Sequence, residues 1–120
     1  MSEGRGRKSI FITGAASGIG AETARYFAKR GWFVGLYDLN EQGLAEVADV
    51  IGGGNCHMAV LDVCDRGQWA AAVEGFGAET SGHMNVLFNN AGVGRHGWFE
   101  EIPPEDADWA ARAVQNGTAA

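Results

Sequence analysis

Three glycines, Gly14, Gly18 and Gly20, lie in the stretch TGAASGIG, between an apolar run and an amphipathic run. Glycine lets a backbone turn tightly and lets a phosphate approach the amides with no Cβ atom in the way. A helix that starts after such a turn presents unpaired N–H groups and the positive end of its dipole to an anion. The stretch therefore predicts a phosphate-binding loop, and the alternative is a tight strand–helix turn without a ligand.

Asp38 stands eighteen residues after Gly20, at the end of the second apolar run. A carboxylate at this place can accept hydrogen bonds from the hydroxyls of an adenosine ribose, and it would repel a 2′-phosphate. No Arg or Lys stands at the positions that could offset this repulsion, namely Ala15, Ala16, Ser17, Leu39 and Asn40. We therefore predict NAD as the cofactor, with NADP disfavoured, and the alternative for Asp38 is a helix cap.

Apolar runs and amphipathic segments alternate around these residues. The expected strands are 9–13, 32–38, 57–63 and 84–92. The expected helices are 18–30, 41–53, one capped by Asp65 and Gln68, and one that starts near 103. Strands that are apolar throughout and separated by helices imply a parallel sheet covered on both faces. We therefore predict an α/β fold, a doubly wound parallel sheet with about four strands and four helices.

Composition and charge disfavour several functions. The net charge of −6 repels phosphate backbones and anionic membranes, so we expect no nucleic-acid partner and no membrane association. The sequence shows neither an apolar run of the ~20 residues that span a bilayer nor a signal peptide, so we expect a cytoplasmic protein. Cys56 and Cys64 would lie roughly 26 Å apart along a strand and are predicted to be free thiols. His57, His83 and His96 lack metal-ligand spacing, so we expect no metal site.

The motifs TGAASGIG, Asp38, LDV at 61–63 and NNAG at 89–92, in this order and spacing, resemble the short-chain dehydrogenase/reductase family. The similarity runs from about residue 8 to residue 116. It implies a Rossmann-type fold with the strand order 3-2-1-4. It also implies hydride transfer between a nicotinamide cofactor and a small-molecule alcohol or ketone, in a protein that forms homo-oligomers when complete.

The resemblance further implies a role for individual residues. The residues that would contact the pyrophosphate are Gly14, Ser17, Gly18, Ile19 and Gly20. Asp62 and Val63 would flank the adenine. The residues that would lie beside the cofactor ribose are Asn89, Ala91 and Gly92. Asn90 would stabilise the sheet, and Asn116 would be the helix asparagine of the family's catalytic relay.

The family's proton-transfer residues have no counterpart in this sequence. They are a tyrosine, a lysine four residues later and a serine that holds the substrate. The only tyrosines here are Tyr26 and Tyr37, and Arg30, four residues after Tyr26, cannot serve as a tunable amine. Tyr26 is expected to pack rather than to react. We therefore expect residues 1–120 to be the N-terminal portion of a longer single-domain fold, truncated before the catalytic tyrosine and lysine and inactive alone.

Two other functions remain open at this stage. One is a non-catalytic dinucleotide-binding or interaction module. The other is a related epimerase or dehydratase, which the NNAG motif and the lack of a G-x-x-G-x-x-G loop disfavour. If four strands are the whole sheet, residues 85–91 form an exposed apolar edge, and we then expect the chain to self-associate.

Overall fold

A computed structural model of the chain describes residues 6–90 and, for the backbone alone, residues 99–101. The described helices and strands are, in chain order, β1 (Ser9–Thr13), α1 (Gly18–Lys29), β2 (Phe33–Asp38), α2 (Glu41–Ile51), a short 3-10 helix (Gly53–Asn55), β3 (Cys56–Val60), α3 (Arg66–Thr80), β4 (Val86–Asn89) and β5 (Phe99–Glu101). The predicted fourth helix lies outside the described residues.

The strands form one sheet in the order β3-β2-β1-β4-β5. The first four are parallel, and Ile10 in the central strand β1 lies between Val34 of β2 and Val86 of β4. This is the predicted order 3-2-1-4. Because parallel strands all point the same way, the carboxyl ends of β1 to β4 meet at one edge of the sheet.

Helices cover both faces of the sheet and enclose two apolar clusters. Phe11 of β1 packs with Trp69 and Phe76 of α3 on one face. Ile10 and Ile12 point to the other face, where α1 and α2 cover them. Successive side chains of a strand point to opposite faces, so this alternation makes β1 the centre of both clusters. The predicted α/β Rossmann-type fold is confirmed.

α1 packs through small residues. Its buried residues are Gly20, Ala21 and Ala24. Tyr26 is 51% exposed, and the guanidinium of Arg30 lies 3.5 Å from the centre of its ring. Tyr26 therefore packs against Arg30 on the outer face of α1 and not in the core. The small residues let α1 approach the sheet closely and leave the larger side chains on its outer face.

Two strands are shorter than predicted. β3 ends at Val60, opposite Asp38 at the end of β2, and Leu61 N–H then donates to the Asp38 carbonyl at 3.0 Å as the chain leaves the sheet. β4 begins only at Val86, because Asn85 uses its side-chain oxygen to accept from Ser9 N–H at 2.8 Å. Residues 61–63 and 84–85 therefore flank the strands and are not part of them.

β5 corrects the expectation of an exposed edge. Its residues 99–101 pair antiparallel with Val86–Phe88 of β4, so the described sheet is not parallel throughout. Backbone groups of β4 that were expected to face solvent are paired with another strand of the same chain. The argument for self-association through β4 therefore no longer holds.

Both cysteines are free thiols, as predicted. Across residues 6–90, no helix combines the length and the apolar character that crossing a bilayer requires.

His57 and Tyr37 form a polar pair inside the sheet–α3 layer. The Tyr37 hydroxyl lies 2.7 Å from His57 Nδ1, and Tyr37 is fully buried. Burial raises the pKa of Tyr37 well above its ordinary value, so the phenol is neutral beside the imidazole. Burial also lowers the pKa of His57 below 6.5, although Glu79 opposes this shift.

The first prediction concerns Gly35, where a Cβ atom would lie 2.6 Å from the Tyr37 ring and 2.8 Å from the Phe76 ring. We expect Gly35→Ala to lower the free energy of unfolding by about 1–3 kcal/mol, because both rings are packed in the core. Gly53→Ala is the control, since nothing lies within 4 Å of its Cβ position. Urea unfolding of both variants is the measurement, and equal stability of the two would contradict the packing described here.

The second prediction concerns pH. Because the pKa of His57 is lower in the folded chain than the ordinary 6.5, the unfolded chain binds the proton more readily. The contribution of His57 to the free energy of unfolding is therefore fully present above about pH 6.5, and it is lost as the pH falls through that value. We expect urea unfolding between pH 5 and 7.5 to show a shallower pH dependence for His57→Gln than for the wild type. A His57→Gln slope as steep as the wild type's would refute this account.

Candidate functional site

The glycine loop between β1 and α1 needs glycine for two different reasons. Gly14 and Gly18 have φ angles of 67° and 60°, which side chains disfavour. Gly20 is required for space: a Cβ atom there would overlap the Gly14 carbonyl oxygen and lie 2.7 Å from its carbon. The first turn of α1 thus rests directly on the turn that ends β1.

The N-terminus of α1 has no side-chain cap. Ser17 occupies the N-cap position in an extended conformation, and its hydroxyl makes no capping hydrogen bond. By contrast, Asn40 caps α2 by accepting from Gly43 N–H at 3.0 Å, and Asp65 caps α3 by accepting from Gln68 N–H at 3.1 Å. The first amides of α1 therefore remain available to an external anion, with the positive end of the helix dipole behind them.

Space for such an anion exists beside Gly18. Apart from its chain neighbours and the backbone of α1 itself, no atom of the described chain lies within 4 Å of the position that its Cβ atom would take. A ligand can therefore approach the backbone at Gly18 closely, whereas the backbone at Gly20 is already in contact with Gly14. Gly18 therefore leaves room for a ligand, and Gly20 allows α1 to pack against the turn at Gly14.

Asp38 links the glycine loop to the end of β2. Its Oδ2 accepts from Ala16 N–H at 3.0 Å, and its Oδ1 accepts from Asn40 N–H at 3.0 Å. The Tyr37 carbonyl, one residue earlier, accepts from Ala15 N–H at 3.1 Å. Asn40 caps α2, so Asp38 is not the helix cap that was its alternative role. Its half-exposed carboxylate is instead held in a fixed orientation beside the loop.

Asn89 ends β4 next to the end of β1. The Thr13 hydroxyl donates to Asn89 Oδ1 at 2.9 Å, and both residues are fully buried. This bond joins the two strands at the edge where the glycine loop begins. Of the other residues expected near the cofactor, Ala91 and Gly92 lie outside the described residues, as does Asn116.

The segment 61–65 follows β3 at the same edge. Asp62 and Val63 are both half-exposed here. Asp62 Oδ1 accepts from Cys64 N–H at 2.9 Å, and the Val63 carbonyl accepts from Trp69 Nε1 at 2.6 Å. Leu61 N–H bonds to the Asp38 carbonyl, so the segment is also tied to the backbone at the end of β2.

Sequence reasoning therefore identified the described parts of one edge: the glycine loop, Asp38, Asp62, Val63 and Asn89. It missed the residues that hold them, namely Thr13, Ala16, Gln68 and Trp69. Thr13 could have been found as a polar residue that closes a buried strand. Gln68 was noticed only as a helix-capping residue, and nothing in the pattern indicated where its side chain goes.

Neither tyrosine is placed to transfer a proton at this edge. The Tyr37 hydroxyl is buried against His57, and Tyr26 lies on the outer face of α1, about 12 Å along the helix from Gly18. No group of three or more potential metal ligands occurs among residues 6–90.

The third prediction concerns Gly20. We expect Gly20→Ala to lower the free energy of unfolding by about 3 kcal/mol, because its Cβ atom meets rigid backbone rather than a side chain that can move. Gly77→Ala in α3 is the control, since its closest neighbour would be 3.9 Å away and it should gain about 0.5–1 kcal/mol from helix propensity. Urea unfolding measures both effects, and a Gly20→Ala chain as stable as the wild type would show that the loop is not packed as described.

Comparison with known proteins agrees with this geometry. The short chain dehydrogenase family model matches residues 8–119. The 2,5-dichloro-2,5-cyclohexadiene-1,4-diol dehydrogenase LinX of Sphingobium indicum is 41% identical over 118 residues, which cover 93% of this chain and 44% of that protein. The chain covers 44% of the length of LinX and 17% of the length of the first curated matches. It therefore spans less than half the length of these relatives.

Two solved structures share the fold. The 3-ketoacyl-(acyl-carrier-protein) reductase of Brucella melitensis, complexed with NADH, is 36% identical, with a TM-score of 0.65 over 71% of this chain and 34% of that one. A short chain dehydrogenase/reductase of Burkholderia phymatum, in complex with NAD, is 34% identical, with a TM-score of 0.66 over 77% of this chain and 33% of that one. With its glycine loop, strand order and sequence in agreement, the chain belongs to the short-chain dehydrogenase/reductase family.

Proposed function

We propose that the chain is the cofactor-binding part of an NAD-preferring short-chain dehydrogenase/reductase. When bound, the nicotinamide group would exchange a hydride with a small-molecule alcohol or ketone in the whole protein. The proposed pyrophosphate contacts are Gly14, Ser17, Gly18, Ile19 and Gly20. Asp38 would bind the adenosine ribose, and Asp62 and Val63 would flank the adenine. The proposed contacts of the second ribose are Asn89, Ala91 and Gly92.

The observation that carries this proposal is the uncapped N-terminus of α1. Ser17 leaves the first amides of the helix without a side-chain acceptor, although the same position is filled by an accepting side chain in α2 and α3. Gly18, in the left-handed conformation, has open space at the position of a Cβ atom. A pyrophosphate supplies the negative charge and the acceptor oxygens that such a helix end lacks.

The proposed preference for NAD rests on Asp38. Its Oδ2 is held by Ala16 N–H and its Oδ1 by Asn40 N–H, so the carboxylate cannot easily turn away from a ligand at the loop. Two unit charges about 4 Å apart interact by roughly 4 kcal/mol at an effective dielectric constant of 20. Even about a third of that energy changes affinity roughly tenfold, which is enough to disfavour a 2′-phosphate.

The related proteins support the same cofactor class. The two structural relatives carry NADH or NAD according to their descriptions, and LinX is described as a dehydrogenase of a cyclic diol. A hydroxyl-bearing or carbonyl-bearing small molecule is the substrate class that we propose for the whole protein. We also propose that it is cytoplasmic and forms homo-oligomers.

Neither tyrosine is accessible at the carboxyl edge, so we propose that this chain alone has no dehydrogenase activity. Asn116 would contribute to a catalytic relay only together with a tyrosine and a lysine from elsewhere. The same observation favours a second candidate function, a dinucleotide-binding module without catalysis. A tyrosine followed by a lysine four positions later, in sequence encoded beyond Ala120, would distinguish the enzyme from the module.

The test is a titration of the purified chain with NADH and then with NADPH. Energy transfer from the four tryptophans to the reduced nicotinamide reports binding, and circular dichroism confirms that the chain is folded. Saturable binding that favours NADH is the expected result. A folded chain that binds neither dinucleotide would refute the proposal.

The fourth prediction concerns Asp38→Asn in the same titration. Asparagine keeps an oxygen that can accept from Ala16 N–H but removes the charge, so we expect the preference for NADH over NADPH to fall about tenfold. Asp49→Asn is the matched control, because it makes the same change of charge at an exposed position of α2. An unchanged preference in Asp38→Asn would show that this carboxylate does not select the cofactor.

A further inference from the structure

We propose that Gln68 is a positioning residue for the purine base, and that it holds the segment 61–65 so that Asp62 and Val63 recognise a 6-aminopurine. The proposal rests on the proposed function, because it concerns the adenine end of the same cofactor. Gln68 itself would touch no part of the ligand. It acts through the backbone of Asp62.

The side chain of Gln68 makes an unexpected contact. Asp65 caps α3 by accepting from Gln68 N–H, which is half of the reciprocal arrangement that a capping box forms. In the other half, the glutamine side chain would reach back to the N–H of Asp65. Here Gln68 Oε1 accepts from Asp62 N–H at 2.7 Å instead, and Asp65 N–H bonds to the Asp62 carbonyl at 2.9 Å.

This contact is one of several hydrogen bonds that hold the segment 61–65. Asp62 Oδ1 accepts from Cys64 N–H at 2.9 Å, and the Val63 carbonyl accepts from Trp69 Nε1 at 2.6 Å. Two neighbouring groups of this segment, the acceptor Asp62 Oδ2 and the donor Val63 N–H, have no hydrogen-bond partner among the described residues. They belong to adjacent residues, and both residues are half-exposed.

An acceptor beside a donor matches the edge of adenine. The 6-amino group of adenine donates a hydrogen bond, and its N1 accepts one. Hypoxanthine reverses both roles, since its 6-oxo group accepts and its N1–H donates. A segment held in the observed conformation would therefore favour adenine over hypoxanthine. A segment released from Gln68 would gain a further unpaired donor, Asp62 N–H, which the 6-oxo group of hypoxanthine could use.

Gln68 is a better subject for a test than Trp69. Trp69 is fully buried and stacks on Phe11 in the core, so its replacement would disturb folding. Gln68 is half-buried in the first turn of α3, and the bond from its own N–H to Asp65 does not depend on its side chain. Substitution of Gln68 therefore removes the bond to Asp62 and keeps the helix cap.

The experiment compares NADH with reduced nicotinamide hypoxanthine dinucleotide, which differs only in the base. Dissociation constants of both are measured for the wild type, Gln68→Ala, Gln68→Met and Gln68→Glu by energy transfer from tryptophan. Methionine keeps the length and helix propensity of the side chain without the amide oxygen, and glutamate keeps an acceptor. Gln42→Ala is the control, because Gln42 is exposed in the first turn of α2 and forms no side-chain hydrogen bond with the described residues.

We expect the wild type, Gln68→Glu and Gln42→Ala to prefer NADH over the hypoxanthine cofactor. In Gln68→Ala and Gln68→Met the preference should fall about three- to tenfold, the effect of one hydrogen bond. If Gln68 had a purely structural role, its substitution would weaken the binding of both cofactors equally and leave the ratio unchanged. That outcome would overturn this inference but not the proposed function. If the folded wild type binds neither cofactor, the proposed function fails and this inference fails with it.

Discussion

The first turn of α1 lies so close to the end of β1 that a side chain at Gly20 would overlap the Gly14 carbonyl. This contact determines where the N-terminal amides of α1 are placed. The helix can come so near because its buried face consists of Gly20, Ala21 and Ala24. The same approach covers Ile10 and Ile12 of β1, so the packing of the core and the geometry of the candidate site have one cause.

A second set of contacts fixes the position of the glycine loop relative to the carboxyl edge of the sheet. Asp38 bonds to Ala16 N–H on one side, and its carbonyl accepts from Leu61 N–H on the other. The end of β2 thereby connects the glycine loop with the segment after β3. Gln68 and Trp69 then hold that segment from α3. Pyrophosphate, ribose and base would meet parts of the chain that are already fixed, which lowers the entropic cost of binding a dinucleotide.

Much of this arrangement could be predicted from the sequence, because apolar runs and glycines directly reflect burial and backbone geometry. The four parallel strands, their order, the cap of α3 and the position of the glycine loop belong to this group. β5 could not be predicted, because the three residues Phe99–Glu101 are too few to show the alternation of apolar and polar residues that indicates a strand. The buried face of α1 is also hard to predict, because glycine and alanine give a weak apolar signal.

Side-chain partners were harder to predict than elements. Gln68 stands where a capping box places it, yet its oxygen bonds to Asp62, and only the path of the chain after β3 decides between the two donors. Asp38 was expected to face the ligand or to cap a helix. Its bond to Ala16 N–H depends on the distance between the loop and β2, which no local pattern contains.

The most direct test of the central claim is to follow the backbone amides of the chain by two-dimensional NMR while NAD is added. If the uncapped end of α1 receives the pyrophosphate, the signals of Gly18, Ile19 and Gly20 should shift most, together with those of Ala16 and Val63. Signals of the opposite end of the sheet, such as Lys8 and His83, should stay in place. Shifts confined to that opposite end, or a folded chain whose glycine-loop amides do not respond to millimolar NAD, would contradict the account.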